Sequence, residues 1–527
     1  APELLLRHVA QRNQAESADA PAALPHCAHK QGALLCADVS GFTQLTQQLQ
    51  QRLGAARGAE ELNNILSRYF DVLITCFHNY GGDVISFSGD ALTVFFDADA
   101  DDDAASAVLS PTADVRSDSQ AAPLPVRAAS VRRAALRAAA CAAAMLTYVA
   151  DSDVGAAYQR HGVGCLTLHA AMGAGEVMCV YVAGDPADES SATAAATPPA
   201  AAAAASNPRR RGARRSLQPV YPMLRRDGFA MMGDPLVQIQ HAEARAGPGE
   251  CVLSPYAWSL VASAHAGVTD SDGFTKLSWQ CSPAVDHGGR RTTSAANAAT
   301  VGAATATALP RISIPIDAAA AGRALLASRG AYAAAIAIDP VQRRRLAAFM
   351  PESVQLRLDM VGMNLLADFR LVSVLFVRIR STSPPSSPLA TPGPNCSPPA
   401  RPSATGSAML WRTQRAFSLV RGAVHRYGGM LARFSVDEKG TVLFAAFGPP
   451  GCQHEDDAVR AALCAHDIRA ELAHEAFDAR IGVTTGTVFA GTVGNTERGE
   501  YTFYGTSVNM AARMMTHPAN QGVLTDE

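Results

Sequence analysis

Apolar residues in this chain come in short runs closed by glycine turns, with longer helical patterns between them. The first run, Ala33-Leu34-Leu35-Cys36-Ala37, ends on a lone acid, Asp38. A glycine turn, Val39-Ser40-Gly41, then leads into a helical pattern from Phe42-Thr43. Farther on, Gly81-Gly82-Asp83-Val84-Ile85-Ser86-Phe87-Ser88-Gly89-Asp90 precedes a second apolar run, Ala91 to Phe96. This order predicts strand, turn and helix, then a hairpin whose tight turn carries Asp90. A helix over 128–149 follows, then an alternating strand from Leu166 that turns at Gly173 and Gly175 and returns through Val182. After it come a helix over 234–245 and a short strand at 251–253. Residues 1–30 read as a loose polar lead-in, and 265–310 as loop. The stretches 97–127 and 184–216 have the composition of low-complexity insertions.

The pattern then repeats. His425-Arg426-Tyr427-Gly428-Gly429, followed after four residues by Phe434-Ser435, matches His78-Asn79-Tyr80-Gly81-Gly82 with the same gap to Phe87-Ser88. The order of elements also recurs: a strand at Leu371–Ile379, an insertion at 382–406, a helix, a hairpin, a helix over 454–473, a strand at Arg480–Thr484, a turn at Gly486, a strand, and a last helix from Ser507. The chain therefore divides into a first unit over 31–262, a linker and helical connector over 263–366, and a second unit over 367–527, with a site expected between the copies.

Chemistry separates the copies. Asp38 and Asp90 stand at strand ends beside a helix N-terminus, where backbone N–H groups bind phosphate and paired carboxylates suit a divalent metal. The second copy has Arg378 at the place of Asp38, and a guanidinium ligates no metal. Conversely, Asn509 and Arg513 share a helix face, whereas the first copy offers Val237 and His241 there. One complete site and one degenerate site follow.

Composition narrows the class. At 527 residues the chain exceeds one ordinary domain, and its net charge of −2 argues against bulk nucleic-acid binding. No uninterrupted apolar run is long enough for a membrane span, and no secretory signal is visible. Eleven scattered cysteines form no CxxC pair, which argues against a zinc site or a disulfide framework and favours a soluble, cytoplasmic setting. The basic cluster Arg209–Arg215 reads as part of a solvated insertion.

Ala37-Asp38-Val39-Ser40-Gly41-Phe42-Thr43, Arg57-Gly58-Ala59-Glu60, the run from Gly81 to Leu92 and Glu500–Met514 resemble class III nucleotidyl cyclases, and most closely the tandem catalytic core of the soluble, bicarbonate-responsive adenylyl cyclases. The resemblance implies an α+β fold of two ferredoxin-like domains packed head to tail as a pseudo-heterodimer. It implies that Asp38, Asp90 and the Val39 backbone hold two Mg²⁺ (or Mn²⁺) ions on ATP, and that Ser40, Gly41, Phe42 and Thr43 cradle its phosphates. Asn509 would orient the ribose, Arg513 would stabilise the α-phosphate, and Thr502 with Arg433 would read adenine. The product would be 3′,5′-cyclic AMP. The family usually has Lys where Arg433 stands, and the Glu and Cys that usually read guanine are absent. Guanylyl cyclase activity and a silent, nucleotide- or anion-binding regulatory pseudocyclase are the alternatives. The charged pair that binds bicarbonate in those cyclases is matched to Ser86 and Gln240, both neutral, so a small-anion regulator at the degenerate site would need another route. The resemblance also implies a hairpin beyond Glu527.

Overall fold

A computed structural model of the chain describes residues 1–15, 25–89, 91–99, 126–151, 167–184, 226–278, 340–351, 354–355, 367–381, 404–437, 440–495 and 497–526. The first unit runs β1 (His26–Ser40), α2 (Phe42–Asn79), β2 (Asp83–Ser88), β3 (Ala91–Asp97), α3 (Val126–Asp151) and β4 (Thr167–Val182), preceded by α1 (Glu3–Ala15). Its strands lie in the order β2-β3-β1-β4, with every neighbouring pair antiparallel. That is the βαββαβ ferredoxin-like arrangement. Further elements extend it: β5 (Gly228–Met232) pairs with β4, α4 (Asp234–Glu243) packs on β4, and β6 (Cys251–Leu253) runs parallel to β4. Past α5 (Pro255–Val261), the hairpin of β7 (Ala266–Thr269) and β8 (Thr275–Ser278) joins β6.

After α6 (Pro340–Ala347) the second unit repeats this plan. It runs β9 (Asp368–Ser381), α7 (Ala404–Arg426), β10 (Met430–Asp437), β11 (Gly440–Phe447), α8 (Asp457–His474) and β12 (Phe477–Gly494), in the order β10-β11-β9-β12. Then come β13 (Gly499–Tyr504), α9 (Thr506–Thr516) and β14 (Val523–Thr525), the last parallel to β12. The fold is α+β with two separate sheets.

Alternation along β1 explains what each sheet face does. Ala33, Leu35, Ala37 and Val39 join the core under α2 and α3, while Leu34 and Cys36 join the core under α4. The cores also bind the units together. Phe489, Val493 and Tyr504, from β12 and β13, complete the first unit's helical core. Val180, Val182, Ala230 and Met232, from β4 and β5, complete the second unit's. Each unit thus lends apolar side chains of a β-arm to its neighbour's core.

Two buried arginines fix the same pairing. Arg498 donates from Nε to the Val84 carbonyl (3.0 Å) and from Nη2 to that of Ile85 (3.2 Å). Arg226 donates from the same two nitrogens to Leu431 (3.4 Å) and Ala432 (3.5 Å). Each acceptor pair sits where the strand's register shifts, between Val84 and Ser86 and between Leu431 and Arg433. The units are therefore related by an approximate two-fold, head to tail.

The structure corrects several expectations. The described parts of the expected lead-in are ordered elements: α1 packs on the first unit, its N-terminal N–H groups at Glu3 and Leu4 capped by the buried Asp83 carboxylate (2.9 Å each), and β1 begins at His26. The loop expected over 265–310 contains β7 and β8. Helix α2 breaks at Gly54, whose φ of 77° is unsuited to a side chain. The basic cluster Arg209–Arg215 and most of the three insertions lie outside the described residues. Among the described residues, no helix is long and apolar enough to cross a membrane.

Candidate functional site

On the first unit the site grows from the end of β1. Asp38 follows Leu34 and Cys36 in the alternation and so emerges on the α4 face. Its side chain is 22% exposed and faces His169, directly across the β1–β4 ladder, with Asp38 Oδ2 3.3 Å from His169 Nε2. Glu243, the last residue of α4, brings a second carboxylate to the pair. Val39 is buried and Ser40 exposed. Gly41 turns the strand into α2 with a φ of 111°, a left-handed value natural to glycine. The N-cap residue, Gly41, has no side chain with which to cap the first-turn N–H groups of this helix. Asp90 lies outside the described residues, but its neighbour Gly89 accepts a hydrogen bond from Tyr504 Oη (2.9 Å).

That bond brings the second unit to the same place. Tyr504 ends β13, and Thr506, which opens α9, accepts from Gln47 Nε2 of α2 (2.7 Å). Asn509 and Arg513 lie one turn apart on α9, both exposed. Strands β10 and β13 are opposite edges of the second sheet, yet Arg433 Nη2 approaches Thr502 Oγ1 at 3.5 Å. The sheet is therefore bent enough for its edges to meet, with the Phe444 and Phe503 rings 5.5 Å apart in the fold. Glu500 stands between two guanidiniums, 2.8 Å from Arg498 and 3.9 Å from Arg433. Thr502 is buried and Arg433 half-buried, so together they form a small polar wall on an apolar sheet.

At the pseudo-equivalent place the chemistry differs. Arg378 pairs with Val442 and Arg480 just as Asp38 pairs with Ala91 and His169. On α4, Val237 is half-buried and His241 exposed. Ser86 follows the β2 register shift, and Gln240 keeps a buried Oε1 without a hydrogen-bond partner among the described residues. An orphan acceptor is a poor host for an anion.

Sequence reasoning missed four residues here. His169 and Glu243 become partners of Asp38 only once strands are paired. Arg226 and Arg498 each stand seven residues before a matching glycine, Gly233 and Gly505, and that repeat was the available signal.

Residues 435–525 match the adenylate and guanylate cyclase catalytic domain family. That stretch, from the end of β10 through β14, is similar to a cyclase catalytic domain. Human adenylate cyclase type 10 is 36% identical over 106 residues, which is 20% of this chain and 7% of that protein. An uncharacterised Mycobacterium tuberculosis protein is 38% identical over 112 residues, 20% of either chain. The matched part thus spans a fifth or less of these curated relatives. Among solved structures, a class III adenylyl cyclase-like ATP-binding protein from Pseudomonas aeruginosa aligns over 100% of this chain and 92% of its own at 10% identity and a TM-score of 0.48. The adenylyl cyclase CyaB from the same organism aligns over 48% of this chain and 94% of its own at 16% identity and a TM-score of 0.28.

Proposed function

We propose that this chain is an adenylyl cyclase, converting ATP to 3′,5′-cyclic AMP and pyrophosphate at one site between its two units. The observation that carries this reading is the junction at Tyr504–Thr506. There the family-matched segment bearing Thr502, Asn509 and Arg513 is hydrogen-bonded to Gly89 and to Gln47 of α2.

The donor set at Asp38 fits a divalent cation: a half-exposed carboxylate at a strand end, with no cationic Lys or Arg as its ladder partner. Asp38, Asp90 and the Val39 carbonyl would hold two Mg²⁺ or Mn²⁺ ions, which when bound acidify the ribose 3′-hydroxyl and neutralise the departing pyrophosphate. The rest is the work of the chain itself. The N–H groups from Ser40 to Thr43, where β1 turns into α2, bind phosphate oxygens at the helix N-terminus. Asn509 holds the ribose so that its 3′-oxygen lies in line with the α-phosphorus. As the new O–P bond forms and the bond to the bridging oxygen of pyrophosphate breaks, Arg513 stabilises the charge gathered on the α-phosphate. Arg433 donates to an adenine ring nitrogen, and the Thr502 hydroxyl meets the adjoining amino group.

A second reading, guanylyl cyclase, is favoured by one observation. Glu500 beside Arg433 offers an acceptor next to a donor, the pattern a guanine edge requires.

The test is cyclic nucleotide formation by the purified chain with Mg²⁺ or Mn²⁺ and either ATP or GTP. Cyclic AMP from ATP is expected, with Arg513→Ala lower by about 10²–10³-fold and Asp38→Ala lower still. A chain that binds ATP yet makes no more product than these variants would overturn the reading in favour of a regulatory pseudocyclase.

A further inference from the structure

We infer that Asp38, His169 and Glu243 form a divalent-cation site of mixed nitrogen and oxygen donors, suited to a transition ion such as Zn²⁺. Their ligand atoms all lie within 4.8 Å of one another, and each residue is half-buried, sheltered yet open to solvent. Three elements bring them together. Asp38 and His169 are direct cross-strand partners on β1 and β4, so their side chains leave the sheet on one face. Glu243 comes down onto that face from α4.

Helix α4 is not free to drift. Gln238 donates to the Ala174 carbonyl (3.1 Å) and accepts from the Ala174 N–H (3.0 Å) and from Ser254 Oγ (2.7 Å). Gly173 passes so close beneath the helix that an added Cβ would stand 2.5 Å from the Pro235 carbonyl oxygen. A ligand carried on an element held this way keeps its place without the ion.

Geometry and donor type agree on the class of ion. Ligands about 2.0–2.1 Å from a tetrahedral Zn²⁺ stand roughly 3.3 Å apart, and Asp38 Oδ2 and His169 Nε2 are already 3.3 Å apart. A modest inward turn of Glu243 supplies the third ligand and leaves a fourth position for water. Imidazole draws Zn²⁺, Co²⁺ and their neighbours, whereas Mg²⁺ prefers oxygen and water. The second unit has nothing of the kind, since Arg378, Arg480 and Met515 occupy the matching positions. An ion held here engages the Asp38 carboxylate, so it competes with the metals of the nucleotide; this consequence rests on the cyclase reading, whereas the site itself does not.

The probe is Co²⁺, titrated into the full chain without nucleotide while visible absorption is recorded. One equivalent with the intense bands of four-coordinate Co²⁺, displaced by Zn²⁺, is expected. His169→Gln and Glu243→Gln should each weaken it by 10-fold or more, with unchanged circular dichroism. Weak six-coordinate bands, or a titration that neither variant alters, would overturn the site and assign the ion to other surface histidines. In parallel, Zn²⁺ should depress cyclic nucleotide formation in the parent and much less in Glu243→Gln. If the chain makes no cyclic nucleotide at all, the cobalt spectrum still decides the site.

Discussion

The two units share one scaffold and divide one chemistry. Both have the same strand order, the same exchanged β-arm, the same register shift in the hairpin and the same buried arginine reaching across to it. At matching positions, however, Asp38 faces Arg378, Arg433 faces Ser86, Asn509 faces Val237 and Arg513 faces His241. What recurs is what packing and backbone hydrogen bonding require in both places. What diverges is whatever only one cleft needs. In the duplicated fold the acid at the end of β1 and the guanidinium on α9 each occur in one unit and have no counterpart at the matching place in the other.

The sharpest way to break this comparison is to equalise the clefts. Val237→Asn with His241→Arg gives the first unit the pair carried by α9. No second site should appear, because Arg378 still stands where an acid is needed; calorimetry with a non-cyclising ATP analogue should keep one nucleotide per chain. In the same experiment Asp38→Asn, nearly isosteric, should lower product formation by at least about 10²-fold, since the charge is lost and the shape kept. Two nucleotides per chain in the double variant, or an active Asp38→Asn, would dissolve the asymmetry.

Next in size is the arginine pair, which tests sameness rather than difference. Arg226 is 5% and Arg498 6% exposed, and each donates to two backbone carbonyls of the other unit. Truncating either to Ala should cost about 2–4 kcal/mol through unpaired buried acceptors. Each makes two further bonds, Arg226 to the Asp227 and Phe349 carbonyls and Arg498 to the Gly499 carbonyl and the Glu500 carboxylate, so the two losses should be similar in size. Urea titration reads both values. A variant that unfolds one unit while the other stays intact would contradict the shared cores.

Much of this was legible in the sequence because repetition is a strong signal. The paired glycines before β2 and β10, the alternating runs and the turn at Gly41 each have a local cause, so strand, helix and first hairpin follow from residue type and spacing. The turns expected at Gly173–Gly175 and Gly486 do not form: β4 and β12 run through them as single long strands, held straight by pairing with β1 and β9. The site was legible only as parts. That Asp38 meets His169 depends on register between strands separated by the whole of α2, β2, β3 and α3, and no local pattern encodes that. Thr502 and Arg433 meet because the second sheet bends, a property of packing rather than of either strand. Helix α1 was missed although Leu4, Leu5 and Val9 stand at helical spacing and are buried; its cap, the Asp83 carboxylate, comes from a distant strand that no local pattern reveals.

A smaller effect is expected at the base-reading wall. Arg433→Ser copies the residue of the first unit, Ser86, onto the second. Losing a donor to the base removes binding shared by ground and transition states, so KM for ATP should rise about 10-fold with kcat little changed. The ratio of ATP to GTP use tells which edge Arg433 reads. If guanine is the better partner, GTP use falls more.

The smallest effect concerns the histidines that the repeat places together. His78 lies 2.6 Å from the Glu497 carboxylate across the unit boundary. His425 has the opposite surroundings: burial, then the charges of Arg421 and Arg426, hold its pKa down at about 4. The sign follows directly. Between pH 6.5 and about 4 the unfolded chain takes up a proton that folded His425 refuses, so the native state loses stability as pH falls through that window and is unaffected above it. His425→Gln should therefore flatten the pH dependence of the unfolding temperature below pH 6.5, by a few degrees at most, while leaving it unchanged at pH 8. A variant whose curve runs parallel to the parent from pH 8 to pH 4 would show that His425 titrates as freely in the fold as out of it. The repeated histidine would then mark the shared scaffold alone, with no difference in charge between the units at that point.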